Sequence, residues 1–331
     1  MRNQSENCQN HPISVITGAD DKFAIGLAVT LFSALANLAS GSAIDFYVID
    51  GGISEANKQK LAQVLQRDSV AVRLRWLKPD LKALGALQVS NRWGVATFFR
   101  ILAPELLPPD LDRVIYLDSD LVIEGNLAEL WQTELEDCPV LAVQDYWLPQ
   151  VSLPCALAET YHQLGLKPDV PFFNAGMLVL NLKQWRTQNL AQTALDYAHR
   201  YQTSDQEAIN AAIAGQGKPL DLRWNVQMCG IVRPAMKLPY DAQELIRQAF
   251  IIHYTSPDKP WQPFYKLYGG SRFAHYLQRS HWFDRWQYLQ WFITTRILQI
   301  IVFPLALTKR YLQQILFPGL KPNPQLHPFS V

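Results

Sequence analysis

Residues 113–131 read RVIYLDSDLVIEGNLAELW, an apolar run that breaks on two acids one residue apart. Arg113 to Leu117 have the length and composition of a mainly apolar strand, so Asp118 and Asp120 fall at its carboxyl end. In extended chain, side chains two apart point to the same side, and this pair can offer two carboxylates to one hard cation. An Asx-type turn at a strand end is the plainer explanation of the same pattern, because short polar side chains are frequent there. The surrounding chain has to decide between them.

Toward the N-terminus, Ile13 to Thr17 reads as a strand, Gly18-Ala19-Asp20-Asp21 as a turn and Phe23 to Leu38 as a helix. Ile44 to Ile49 forms a second strand, Ser54 caps a helix that runs to about Gln66, and Val70 to Leu77 forms a third strand. A helical stretch from Thr97 to Leu106 precedes the break at Pro108-Pro109. Beyond the acidic pair, Val140 to Val143 ends at Asp145, Phe172 to Leu182 continues the strand pattern, and Leu190 to Tyr201 and Gln206 to Ala214 read as helices. Ala249 to Ile252 is a further apolar strand that delivers His253 to its end. Strands alternating with helices predict an α/β fold with a mixed, mainly parallel sheet, whose ligands collect beyond the strands' carboxyl ends.

The chain has 331 residues, 49% of them hydrophobic, enough for one large domain with an appendage. A net charge of +1 makes no case for a nucleic-acid partner. Cys8, Cys138, Cys155 and Cys229 contain no CxxC pair, so neither a zinc site nor a disulfide framework is indicated. Residues 1–12 are polar and lack the apolar run of a signal peptide, which predicts a cytoplasmic protein.

His253 lies far from the acidic pair in sequence but at an equivalent strand end, and it is a candidate third ligand. Imidazole is not the usual partner of Mg²⁺, so a site that includes it favours Mn²⁺, with Mg²⁺ as the alternative. Other polar segments have plain explanations. Asp20 and Asp21 could cap the helix starting near Phe23. Ser204-Asp205-Gln206-Glu207 fits a capping box, which accounts for Ser204 and Glu207 and leaves Asp205 and Gln206 projecting from the first turn. Asn174 and Gly176 could mark a β-bulge, and Lys259 could be a surface lysine beside Pro260.

Six segments in fixed order change that balance: ITGADDKFAIGLAVTLFS, IDFYVIDGGIS, RVIYLDSDLVIEGNLAELW, FFNAGMLVLNLKQWR, SDQEAIN and IIHYTSPDKPW. Together they resemble glycosyltransferase family 8, retaining enzymes of the GT-A fold, over about residues 13–270. The resemblance implies Asp118, Asp120 and His253 as Mn²⁺ ligands and Ala19, Asp20 and Asp21 as the segment holding uracil and ribose. It implies Arg100 facing the donor, Asn174, Ala175 and Gly176 along the donor sugar, and Asp205 and Gln206 beside the transferred sugar. Lys259 matches a lysine on the diphosphate, and Ser119 and Ser256 fall within the same donor-binding segments. Two positions depart from the pattern: Lys22 replaces an Asn beside the ribose, and Ser256 replaces a Gly near the phosphates, where its Cβ would crowd the approach or its hydroxyl add a donor.

The same resemblance implies transfer of glucose or galactose from a UDP-sugar to a saccharide or lipid-linked acceptor, with retention. An amide is a poor nucleophile at carbon, so Gln206 is expected to stabilise positive charge at the anomeric centre in a front-face substitution. Asp145, at its own strand end, is a candidate acceptor contact. YLDSDLV also fits the opening of haloacid-dehalogenase-like phosphatases, although those begin their domain with that strand. A UDP-binding, membrane-associated scaffold without turnover is the other alternative.

Residues 271–331 change character: seven Lys or Arg against one acid, Asp284, with Trp282, Trp286 and Trp291 interleaved. Ile297 to Thr308 is apolar but too short to span a bilayer. At helical pitch Arg285, Arg296 and Arg310 share one face, which predicts a helix lying on an anionic membrane surface or packing on protein.

Overall fold

The computed structural model describes residues 12–66, 70–85, 95–151, 158–163, 166–232, 234–238, 241–262, 265 and 269–297. Ten strands are formed among them: β1 (Ile13–Ala19), β2 (Ala43–Asp50), β3 (Ala71–Leu77), β4 (Arg113–Leu117), β5 (Leu121–Ile123), β6 (Val140–Gln144), β7 (Phe173–Asn181), β8 (Lys218–Pro219), β9 (Val226–Gln227) and β10 (Ile251–His253). The helices are α1 (Ala24–Ala36), α2 (Glu55–Val64), α3 (Phe99–Leu106), α4 (Leu127–Gln132), α5 (Ala158–Gln163), α6 (Leu182–Thr187), α7 (Leu190–Tyr201), α8 (Asp205–Ile213), α9 (Ala242–Arg247), α10 (Gly270–Ser280) and α11 (Arg285–Phe292).

The main sheet has the order β3-β2-β1-β4-β7-β6-β8, and β5-β10-β9 form a smaller sheet. β3, β2, β1 and β4 run parallel, as expected of strands joined by helical crossovers. β7 is antiparallel to both β4 and β6, which makes the sheet mixed. Leu117 pairs with Met177, so the chain leaving β4 runs alongside Gly176, whose carbonyl accepts from the Asp118 N–H at 2.8 Å. Pairing therefore fixes the acidic segment against β7 before any side chain is considered.

α1, AIGLAVTLFSALA, is apolar around almost its whole circumference, and it is buried accordingly. Leu27, Leu31 and Leu35 join the sheet-side core with Val15, Phe46 and Val48, and α10 adds Phe273, Tyr276 and Leu277 to the same cluster. Its polar residues at i, i+3 and i+7 have a separate task. Thr30 Oγ1 donates to the Leu121 carbonyl at 3.0 Å and accepts from the Leu121 N–H at 3.1 Å. Ser33 Oγ accepts from the Ile123 N–H, and Asn37 Nδ2 donates to the Ile123 carbonyl at 2.9 Å. β5 thus has β10 on one edge and hydroxyl and amide groups of a helix on the other, leaving no unmet backbone edge there.

α10 and α11 pack on this body. Trp291 Nε1–H donates to the Trp261 carbonyl at 3.1 Å, and the Trp261 ring meets Phe23 edge-on and lies against Phe273. Among the described residues no helix is long and apolar enough to cross a membrane. The stretch from 298 onward, including most of the predicted apolar segment Ile297 to Thr308, lies outside the described residues.

Candidate active site

Asp118 follows β4, Asp120 precedes β5, and His253 ends β10, so three separate chain segments bring their side chains to one point. One ligand atom from each lies within 4.8 Å of the others. His253 Nε2 is 3.4 Å from Asp120 Oδ1 and 3.7 Å from Asp118 Oδ2. Asp120 Oδ1 is buried without a hydrogen-bond partner, which is costly unless something else satisfies it. The space between the ligands is kept open by a missing side chain: a Cβ on Gly176 would stand 2.1 Å from His253 Cε1 and 2.9 Å from Asp118 Oδ2. Two carboxylates, one with an orphaned oxygen, and an imidazole nitrogen fit a divalent cation that takes mixed oxygen and nitrogen ligands, as Mn²⁺ does.

Cations of the chain itself surround the cluster. Arg100, in the first turn of α3, donates from Nη2 to Asp118 Oδ1 at 2.7 Å and pairs through Nε with Asp205 Oδ2 at 3.0 Å. Tyr116 Oη also donates to Asp118 Oδ1, at 2.7 Å. Lys259 Nζ reaches Asp120 Oδ2 at 2.6 Å and the Tyr254 carbonyl at 2.8 Å. Burial pushes the Asp118 carboxyl above its ordinary value, against the pull of Arg100. Asp120 is equally buried, but the Lys259 ammonium beside it outweighs that cost and holds it well below the usual carboxylate range. Burial raises Asp205 too, with Arg100 opposing. For Arg100 burial works against the charge, yet Asp118 and Asp205 more than restore it, and the guanidinium remains a cation.

Gln206 and Asn174 meet at Asp145. The Asp145 Oδ2 atom accepts from Asn174 Nδ2 at 3.0 Å and Gln206 Nε2 at 3.1 Å, while Oδ1 accepts from the Trp147 and Leu148 N–H groups at 2.9 Å each. Asp145 thus spends both oxygens inside the protein. The capping box at Ser204 and Glu207 is formed, and it sets Asp205 and Gln206 in the first turn of α8 facing Arg100 and β7.

The remaining expected residues make local bonds. Asp20 caps the turn before α1, accepting from the Lys22 and Phe23 N–H groups, and Asp21 accepts from the Ser54 N–H and Asn57 Nδ2 at 2.8 Å. Ala19 ends β1, its carbonyl accepting from the Gly51 N–H at 2.9 Å. The Ser119 carbonyl stands where a Cβ on Gly26 would come within 2.4 Å. Ser256 turns its hydroxyl to the Asp258 carbonyl within its own loop. Two site residues escape the sequence reading: Tyr116, read only as strand core, and Asn225, whose Oδ1 lies 3.0 Å from His253 Nδ1. An Asn inside a hydrophobic stretch such as LRWNVQM is the signal that marks Asn225.

A Rossmann-like mixed sheet with an acidic pair and a histidine at its ligand-binding edge defines a GT-A transferase. The chain belongs to glycosyltransferase family 8, whose model, described as "Glycosyl transferase family 8", matches residues 14–263. General stress protein A of Bacillus subtilis (strain 168) is 25% identical over 81% of this chain and 94% of that protein. Lipopolysaccharide 1,2-glucosyltransferase of Escherichia coli (strain K12) is 27% identical over 82% and 79%, respectively. In three dimensions, the galactosyltransferase LgtC, solved with donor and acceptor sugar analogues, matches with a TM-score of 0.67 and 25% identity, covering 82% of this chain and 98% of that one. Family membership decides against the phosphatase reading of YLDSD.

Proposed function

We propose that this chain transfers glucose or galactose from a UDP-sugar to a saccharide or lipid-linked acceptor, with retention of anomeric configuration and dependence on Mn²⁺ or Mg²⁺. The observation that carries this reading is the convergence of Asp118, Asp120 and His253 on one point, around a buried oxygen of Asp120 that lacks a hydrogen-bond partner. The lipopolysaccharide 1,2-glucosyltransferase and the LgtC galactosyltransferase support the sugar classes and a cell-envelope saccharide as acceptor.

Asp118, Asp120 and His253 would hold the cation, which when bound supplies positive charge to the departing diphosphate. Lys259, buried beside Asp120, adds a second positive charge on the same side. Ala19, Asp20 and Asp21 would border the nucleoside, and Asn174, Ala175 and Gly176 the sugar. Arg100 has its guanidinium committed to Asp118 and Asp205, so its part is to set those carboxylates. A carboxylate paired with a guanidinium is a weakened nucleophile, which favours substitution on the front face over a covalent sugar on Asp205. In that reaction the bond from the anomeric carbon to the diphosphate oxygen breaks, the acceptor oxygen bonds the same face, and its proton passes to the departing phosphate oxygen. The Gln206 carbonyl oxygen, which keeps a lone pair beyond its bond from the Ala175 N–H, faces the developing positive charge.

We infer a peripheral membrane position from α11. Trp286, Leu289 and Ile293, spaced at i, i+3 and i+7, are 74%, 44% and 39% exposed on a basic, aromatic segment. The function is tested by UDP release from UDP-glucose, UDP-galactose and UDP-N-acetylglucosamine, with Mn²⁺ and with chelator. Metal-dependent release from one of the first two is expected. Binding of UDP and Mn²⁺ with no release from any donor would instead mark an inactive scaffold.

A further inference from the structure

His253, one of the three proposed metal ligands, and Gln206 sit on different elements yet belong to one hydrogen-bond chain, whose polarity is fixed at its ends. The Gly176 backbone N–H donates to Asn174 Oδ1 at 3.1 Å, and the Ala175 N–H donates to Gln206 Oε1 at 3.0 Å. A backbone N–H is only a donor, so both amides must turn their oxygens to β7 and their NH₂ groups to Asp145 Oδ2. Asn225 meets the second lone pair of Asn174 Oδ1 at 2.9 Å, and only its Nδ2 can donate there. That leaves Asn225 Oδ1, an acceptor, facing His253 Nδ1 at 3.0 Å. The imidazole therefore carries a proton on Nδ1 and turns Nε2 toward the Asp118 and Asp120 carboxylates.

We propose that Asn225 is a positioning residue that holds His253 with Nε2 aimed at the metal site and ties it, through Asn174 and Asp145, to Gln206. This rests on the metal-dependent reading given above. Asn225 is fully buried, and it is placed by the 3-10 turn at Leu222–Asn225 directly before β9, which pairs with β10 and so carries it alongside His253. One amide thereby sets both the geometry of the metal site and the register of the residue facing the sugar. Partners of ligating histidines of this kind change metal affinity by about 10- to 100-fold when removed.

Two near-isosteric variants separate the two ends of the amide. N225L removes both the acceptor for His253 and the donor to Asn174. N225D keeps an acceptor for Nδ1–H but sets a carboxylate oxygen against Asn174 Oδ1, which breaks the link toward Gln206. The experiment titrates Mn²⁺ alone into wild type and both variants by calorimetry, with circular dichroism to establish folding, and measures UDP release separately. N225L is expected to bind Mn²⁺ about 10- to 100-fold more weakly, whereas N225D binds it as tightly as wild type or more so. N225D should still lose about tenfold or more in kcat, with the UDP-sugar KM nearly unchanged. A folded N225L with wild-type Mn²⁺ affinity overturns the proposal, as does a folded N225D that loses Mn²⁺ or keeps full kcat. Should N225L not fold, the N225D measurements decide alone. A wild-type protein that binds no Mn²⁺ overturns the premise itself, a result distinct from any difference among variants.

Discussion

Gly176 occupies the tightest position of the site, with the His253 ring on one side and an Asp118 oxygen on the other. Its lack of a Cβ is a steric requirement: a methyl there would overlap His253 Cε1 at 2.1 Å, and the ring is held from behind by Asn225. Gly176→Ala should leave the fold largely intact, costing about 1–3 kcal/mol for overpacking, while displacing the imidazole. Calorimetric titration should show Mn²⁺ affinity reduced about tenfold or more, in the range found when the support of a ligating histidine is lost; wild-type affinity in this variant would mean that the cation binds elsewhere. At this scale the proposed ligands are legible in the sequence, because Asp118, Asp120 and His253 each follow or precede an apolar strand. Asn225 and Tyr116 are not, since their roles depend on which strands become neighbours in space. Asp20 illustrates the converse: the ordinary capping explanation describes the bonds it makes, to the N–H groups of Lys22 and Phe23.

At the level of elements, the site is only as well placed as the loops that aim it. Arg186, at the end of the LKQWR segment, donates to the carbonyl of Pro104 in α3 and to those of Leu107, Pro108, Pro109 and Leu111 in the connection from α3 to β4. Because Arg100 lies in α3 and Asp118 follows β4, one guanidinium fork braces the connection between them. Arg186→Met would strand these carbonyls. It should destabilise the protein by about 3 kcal/mol, visible as a melting temperature lower by about 5–10 °C. A shift under about 1 °C would show that water replaces the bonds without loss. Long strands and helices such as β1, β2, β4 and α7 are legible from periodicity. β5, β8 and β9 are not, having only two or three residues each, too few for a pattern. β5 is a strand because Thr30, Ser33 and Asn37 of a helix close its free edge, an arrangement no local sequence rule contains. The antiparallel direction of β7 is equally invisible, since an apolar run reads the same either way.

Across the whole molecule, α11 packs one side on the body and leaves the other exposed, the side proposed to meet a membrane surface. One side of α11 is committed inward: Trp291 is bonded to the Trp261 carbonyl, two residues from Lys259, and Tyr288 Oη donates to the Ala274 carbonyl. The other side, with Ile293 just past its end, presents Trp286, Leu289 and Ile293 to solvent, within a sequence segment (271–331) that has seven Lys or Arg against one acid. Aromatic and aliphatic side chains over basic residues are the composition of helices that lie at the headgroup level of anionic bilayers. Truncation would remove both faces and confound membrane binding with loss of support for the Lys259 loop. Substituting only the outward residues, W286S/L289S/I293S, separates them. Burying these side chains in a bilayer is worth about 2 kcal/mol each, so their removal should reduce partitioning onto anionic vesicles by more than tenfold. UDP release in solution should stay at the wild-type rate, because Trp291, Trp261 and Lys259 are untouched. Co-sedimentation with phosphatidylglycerol vesicles checks the first expectation: undiminished binding by the triple variant would assign lipid contact to another surface. A fall in solution turnover would show instead that the outward face takes part in supporting the site, and that α11 acts on Lys259 as one rigid unit.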